Sequence, residues 1–156
     1  MTNFMEALDT KTEEVERPPL VPQGTYNAMI SAPAQFGKIE SPNFNAETIT
    51  FKLRLLSANE NADDVDEDDL AAYGDLSKAF VEHKFLFNTE DEAAFANTKF
   101  ALSKFLENTL NIHGKTIKEG CAEAQNEPLI VTVGWRPDKN DPEVFYTKVK
   151  ATAPAE

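Results

Sequence analysis

The stretch Glu47-Thr48-Ile49-Thr50-Phe51-Lys52-Leu53-Arg54-Leu55 alternates apolar and polar residues along its whole length. Ile49, Phe51, Leu53 and Leu55 share one parity, and hydroxyl or charged side chains occupy the other. Because successive side chains of a β-strand point to opposite faces, this pattern predicts a half-buried strand. Its outer face is basic and rich in hydroxyls, as expected where a strand meets solvent or a polyanion.

The same two-residue period recurs in four other segments and predicts strands over 25–31, 80–87, 129–135 and 144–150. The segment from Phe80 to Phe87 carries apolar residues on both parities, which indicates burial on both sides. Between the first two strands, 34–44 contains Gly37 and Pro42, and we interpret it as a loop or a hairpin connection.

One helix is predicted between the third and fourth strands. Thr89 is the expected N-cap, followed by acids that complement the helix dipole, and Gly114 marks the end of a helix that runs to about Ile112. Its apolar stripe recurs at helical spacing and consists of Phe95, Thr98, Leu102, Phe105, Leu106 and Leu110.

Five strands with a helix between the third and the fourth is the element order of an OB-fold barrel. We therefore predict a mainly β protein with one helix, folded as a five-stranded OB-fold-like barrel. Element order alone also allows an open antiparallel sheet with a helix on one face. In the barrel, the interior is expected to contain Ile49, Phe51, Leu53, Phe85, Val131, Val133 and Phe145.

The 156 residues are enough for one domain and hardly enough for two. We expect an acidic, proline-rich arm over 1–22, a domain over 23–152 with an acidic insertion at 57–77, and a tail over 153–156. No apolar run is long enough to span a bilayer and no secretory signal is visible, and a single cysteine excludes an internal disulfide. These features predict a cytoplasmic protein.

The formal net charge is −12, and most of the excess lies in the arm and in seven acids between Glu60 and Asp69. The rest of the chain is nearly neutral. Asp64, Asp66 and Asp68 have calcium-loop spacing, but Asp69 stands where such a loop needs glycine, so we expect no metal site. The acidic run is either a solvated loop or a segment that competes with nucleic acid or recruits basic partner proteins.

Features of an enzyme are few. Neither a GxGxxG nor a Walker sequence occurs, and we expect no cofactor and no enzymatic activity. A small hydrolase that uses Cys121 is an alternative, and it requires His83 or His113 within hydrogen-bond reach of the thiol.

Basic and aromatic residues are interleaved on the outer parities of the predicted strands. Such a face suits single-stranded nucleic acid, since cations contact phosphates and flat rings stack on bases. The alternative is that alternating lysine and threonine is simply typical of any solvated strand, and that Trp135 and Tyr146 are packing residues. The predicted binding residues are Lys52, Arg54, Lys84, Trp135, Arg136, Tyr146, Lys148 and Lys150.

The stretch Pro22-Gln23-Gly24-Thr25-Tyr26-Asn27-Ala28-Met29-Ile30 resembles the opening P-x-G-x-Y-x-A-x-I strand of small bacteriophage-encoded single-stranded-DNA-binding proteins of the OB-fold type. The likeness runs from about Pro19 to Thr152 through the order of the strands and the helix. It implies a non-enzymatic protein that coats single-stranded DNA during phage replication and recombination, in the host cytoplasm, largely without sequence preference.

Single-stranded-DNA-binding proteins often recruit partner enzymes through an acidic C-terminal tail, whereas here the acids lie in the arm and between Glu60 and Asp69. We therefore expect replication or recombination proteins to contact this loop, and homo-oligomers are a further expectation. The alternative function is a phage structural or assembly protein whose sheet face binds a protein partner.

Overall fold

The computed structural model describes residues 3–9, 11–12 and 19–156. Six strands form one antiparallel sheet: β1 (Gly24–Ile30), β2 (Gln35–Ser41), β3 (Phe44–Ala58), β4 (Phe80–Asn88), β5 (Pro128–Pro137) and β6 (Phe145–Pro154). The sheet curls into a half-barrel made of β1, β3, β4, β5 and β6. The prediction of a mainly β, barrel-like OB fold is confirmed.

Strand pairing follows the order β4-β3-β1-β5-β6 through the half-barrel. The long strand β3 pairs with β4 along one edge, and its other edge pairs first with β2 and then with β1. The end strands β4 and β6 approach to Cα–Cα distances within 8 Å. The second and third strands of the barrel are therefore β3 and β4.

The core follows the predicted parities. Phe51, Leu53 and Leu55 are fully buried, as are Tyr26 and Ile30 of β1. Phe145 departs from the prediction: it is 39% exposed and packs against the Trp135 ring, with ring centroids 6.3 Å apart. Phe145 is the first residue of β6 and lies beyond the barrel interior. Alternation gives the side of the strand on which a residue lies, but not whether the barrel extends that far.

The helix between the third and fourth barrel strands is present, and its details differ from the prediction. The helix α3 (Glu92–Lys104) begins at Asp91, whose carboxylate accepts hydrogen bonds from two backbone amides at 3.1 Å. Thr89 is not the cap, because its hydroxyl donates instead to the Asn45 carbonyl. After Lys104 the chain makes a π-helical turn (Phe105–Thr109), which buries Phe105 and Leu106 in the core.

The single predicted helix is joined by three others. The helix α1 (Phe4–Leu8) lies in the arm, α2 (Glu67–Tyr73) lies in the acidic insertion, and α4 (Ile117–Glu123) precedes β5. The α4 helix begins with a capping box between Thr116 and Glu119. Each is shorter than eight residues, too short for the periodic signal that identifies α3.

The predicted arm over 1–22 lies partly outside the described residues. Within its described part, α1 leaves Phe4, Met5 and Leu8 exposed. At the other end of the chain, β6 extends to Pro154 and so includes the first two residues of the predicted tail. None of the helices in the described ranges is long and apolar enough to cross a bilayer.

Candidate nucleic-acid interface

Three of the predicted binding residues lie on one open surface, the outer side of β3 and β4. We call it the β3–β4 face and define it by Thr50, Lys52, Arg54, Phe80, Glu82 and Lys84. Cross-strand pairing places Lys84 opposite Thr50, Lys52 opposite Glu82 and Arg54 opposite Phe80. Their alternation with Phe51 and Leu53, which are fully buried, turns these side chains to solvent.

A basic group and an aromatic ring are already in contact on this face. The Lys52 ammonium lies 4.4 Å from the centroid of the Phe80 ring, within the range of a cation–π interaction. Phe80 is 43% exposed. The sequence suggested that this residue was buried, because β4 carries apolar residues on both parities. Phe80 is therefore an exposed aromatic residue of this face that was not among the predicted binding residues.

The cations of the β3–β4 face outnumber its carboxylates three to one and form no ion pair among the described residues. Among the described residues, the ion pairs are Lys104 with Glu107 and Lys115 with Glu123. Lys52, Arg54 and Lys84 face one acid, Glu82, across the strand pair. In a chain of net charge −12, three unpaired cations against one acid make a locally positive surface.

The remaining predicted residues lie on β5 and β6, at a different part of the sheet. Arg136 pairs with Tyr146 across the strands, and its guanidinium lies 5.3 Å from the centre of the tyrosine ring. The Tyr146 hydroxyl donates to Asp138 at 2.9 Å. Lys148 pairs with Gly134, and the stem of Lys150 lies where a Cβ on Gly134 would be.

Two strands, β1 and β5, separate β3 from β6 along the hydrogen-bonded sheet, while β4 and β6 approach each other at its two ends. The acidic insertion contacts the outer side of β1 at Thr25. The Asp64 carboxylate accepts hydrogen bonds from the Thr25 amide at 2.7 Å and from the Thr25 hydroxyl at 2.8 Å. That hydroxyl is also 3.1 Å from the hydroxyl of Thr132 on β5. The eight predicted residues therefore divide into a group on β3 and β4 and a group on β5 and β6. Strand β1 separates the groups on one side, and β4 lies near β6 on the other.

Further contacts hold the insertion in place. The Asn59 amide donates to the Asn27 side chain at 3.0 Å, and the Asn61 amide donates to the Glu156 carboxylate. Asp66 caps α2 by accepting from the Asp69 amide. Asp64 and Asp66, which have calcium-loop spacing in the sequence, both accept structural hydrogen bonds. Asp64 binds Thr25 of β1, and Asp66 caps α2.

Trp135 occupies a position that does not favour base stacking. Its indole N–H donates to the Val21 carbonyl at 2.8 Å. The ring borders a pocket of about 510 Å³ that Asp64, Asp66 and Asp69 also line. The three carboxylates repel phosphates, so this pocket disfavours a nucleic-acid backbone.

A groove of about 490 Å³ opens between the β2–β3 hairpin and α3. Phe36 and Lys38 line it from the hairpin, and Phe95 and Lys99 line it from α3. Phe36 pairs with Ile49, a residue of the inner parity, so the groove lies on the opposite side of β3 from Lys52. It is separate from the β3–β4 face.

The proposed alternative nucleophile is a buried packing residue. Cys121 is 1% exposed, and burial raises the pKa of its thiol to about 11, which keeps it protonated at neutral pH. His83 contacts Phe85 and Phe105, with ring centroids 4.6 Å and 5.0 Å away. The Nε2–H of His113 donates to the Oδ1 atom of Asn111 at 3.0 Å. Neither histidine, both of them in the described range 19–156, makes a hydrogen bond to Cys121.

No family model matches this sequence, and no curated protein is significantly similar to it. The geometry of the fold and of its exposed faces is therefore the basis for the function proposed below.

Proposed function

We propose that this protein binds single-stranded DNA, largely without sequence preference, through the β3–β4 face. The observation that carries the proposal is the set of three unpaired cations on that face, Lys52, Arg54 and Lys84, beside the exposed ring of Phe80. In OB-folds, the surface of the second and third strands is the one that binds oligonucleotides, and these strands are β3 and β4 here.

The charge distribution supports this choice of surface. Phosphates repel the acidic insertion, which is hydrogen-bonded to β1, and are attracted to the cations of β3 and β4. The strand rise is about 3.3 Å per residue, so Lys52 and Arg54 lie about 7 Å apart along β3. That separation is close to the spacing of successive phosphates in an extended single strand.

The exposed ring supplies the second element of single-strand recognition. A base that stacks on Phe80 contributes about 1–3 kcal/mol, and stacking is tolerant of sequence because every base has a flat face. Lys52, which now lies over the ring, must shift toward a phosphate to admit the base. This movement exchanges one cation–π contact for a charge-assisted contact with the backbone.

The experiment is a titration of a fluorescently labelled oligo-dT, followed by anisotropy, at about 50 mM and about 200 mM salt. Neutralising three phosphates releases their counterions, so the affinity should fall roughly tenfold to twentyfold between the two conditions. The emission of Trp135, the single tryptophan, should change little, because it lies on β5. Absence of binding at the lower salt concentration would remove the proposal.

The role in phage replication and recombination that the sequence resemblance implies stays a prediction, as does recruitment of partner proteins by the acidic insertion. A sheet face that binds a protein subunit instead would produce stable protein complexes and indifference to oligo-dT.

A further inference from the structure

The strand β2 is an unprotected edge of the sheet. In the described part of the chain it pairs with β3 alone, in a regular register from Gln35 opposite Thr50 to Ser41 opposite Phe44. All of its residues are exposed. The backbone N–H and C=O groups on the other side of an edge strand are free to pair with another strand. No bulge or internal proline blocks this edge.

Across the β2–β3 pair Lys38 lies opposite Glu47, without forming an ion pair, and Glu40 lies opposite the uncharged Asn45. Phe36 is 65% exposed and Ile39 is 37% exposed. Lys38 and Glu40 make no ion pair among the described residues, whose ion pairs are on α3 and beside α4. The edge therefore carries two apolar side chains, one cation and one anion, all open to solvent.

We propose that two copies of this chain associate by pairing β2 with β2, antiparallel, about a two-fold axis at Ile39. In this register Lys38 of each copy lies opposite Glu40 of the other, which creates two pairs of opposite charge. Ile39 lies opposite its own copy, and Phe36 lies opposite Pro42, which is exposed in the turn after the strand. Directly opposed side chains contact across strands, so the two Lys38–Glu40 pairs and the pair of Ile39 side chains are favourable.

Other registers lose this complementarity. An axis at Lys38 brings the two Lys38 ammonium groups together and places Phe36 opposite Glu40. An axis at Glu40 brings two carboxylates together. Shifting the register by one residue places Lys38 opposite Ile39, so the inner side of one sheet continues into the outer side of the other. The sequence of the edge thus specifies one antiparallel register.

The association closes after two copies. A two-fold contact is isologous, so the β2 edge of each copy is used up and no further chain adds at this site. Edge-to-edge pairing of one short strand buries less surface than a standard protein interface, so we expect a reversible dimer with a dissociation constant of roughly micromolar or weaker.

Sedimentation velocity of the full chain, without DNA, tests the proposal over a range of protein concentrations. The variants are Lys38→Glu, Glu40→Lys and the double exchange of both. Each single change creates two like-charge pairs in the symmetric contact and should weaken the dimer about tenfold or more. The double exchange restores both opposite-charge pairs and should return the dissociation constant to within about threefold of the original.

Lys139→Glu is the matched control, since Lys139 is an exposed lysine of the turn between β5 and β6, at the other side of the sheet from β2. It should leave the dimer unchanged, and thermal unfolding should show that all variants are folded. A chain that stays monomeric at high concentration overturns the proposal. So does a dimer that ignores the single charge changes, or one that the double exchange fails to restore. DNA binding is measured separately and involves other residues, so the two proposals fail independently.

Discussion

Tyr26 shows how a single side chain joins the core to the chain that precedes β1. The residue is fully buried, and its hydroxyl donates a hydrogen bond of 2.6 Å to the Pro22 carbonyl. Burial, assisted by the negative charge of Asp64, raises the pKa of Tyr26 to about 12, which keeps the hydroxyl a donor. Alternation predicted that Tyr26 faces inward. Its partner was not predictable, because it depends on how the chain turns before the strand.

His83 makes the stability of the protein depend on pH. Burial among Phe85 and Phe105 lowers its pKa from 6.5 to about 4. Between these values the unfolded chain binds the proton and the folded protein does not, so stability falls as the pH decreases from about 6.5 to 4. The full loss is about 3–4 kcal/mol, at 1.36 kcal/mol for each pKa unit.

The measurement is chemical denaturation of the original protein and of His83→Phe at pH 7 and pH 4.5. The variant keeps an aromatic ring but cannot titrate, so the stability difference between the two pH values should be smaller by roughly 2–3 kcal/mol. Carboxylates titrate equally in both proteins and cancel in the comparison. Identical pH dependence in the two proteins would contradict the assignment to His83.

At the scale of elements, the acidic insertion was the least predictable part of the fold. Its charge suggests a solvated loop, yet Asp64 is hydrogen-bonded to Thr25 across 39 residues of sequence. Val65 packs beside Gly24, where an added Cβ would lie 2.5 Å from its side chain. Such contacts between distant residues leave no periodic trace. The strands and α3, by contrast, bury one face each and were recognisable from their repeats.

Removing the Asp64 carboxylate should release the insertion from β1. In Asp64→Ala the Thr25 amide and hydroxyl lose their acceptor in a site where Thr25 is 8% exposed. The Thr25 hydroxyl keeps Thr132 as a partner. Leaving the Thr25 amide unpaired should lower the free energy of unfolding by about 1–3 kcal/mol, and exchange of its hydrogen should accelerate. Urea denaturation and hydrogen exchange measure the two effects.

Glu60→Ala is the control for Asp64→Ala, because it removes one exposed acid of the same insertion. Its stability should stay within about 0.5 kcal/mol of the original, as for other surface changes. Equal effects of the two substitutions would show that charge, instead of the hydrogen bonds to Thr25, governs the insertion.

For the whole molecule, the order of the strands decides which cations are neighbours. The period of each strand predicted that Lys52, Lys84 and Lys148 point outward, and all three are exposed. It did not predict that β1 and β5 lie between β3 and β6 along the hydrogen-bonded sheet, or that the insertion is hydrogen-bonded to β1. The direction in which a side chain points is set by its own strand. Which side chains lie beside it on the surface depends on the order of the strands in the sheet. The proposed binding surface therefore uses three of the eight residues predicted from the sequence.

The most direct test of the proposed interface compares two triple variants in the oligo-dT titration at low salt. One replaces Lys52, Arg54 and Lys84 by glutamine, and the other replaces Arg136, Lys148 and Lys150 by glutamine. Both remove three positive charges, so the net charge is matched. The first should lower the affinity about thirtyfold or more and flatten its salt dependence, while the second should change the affinity less than about threefold. Equal losses, or a larger loss in the second variant, would contradict binding through the β3–β4 face.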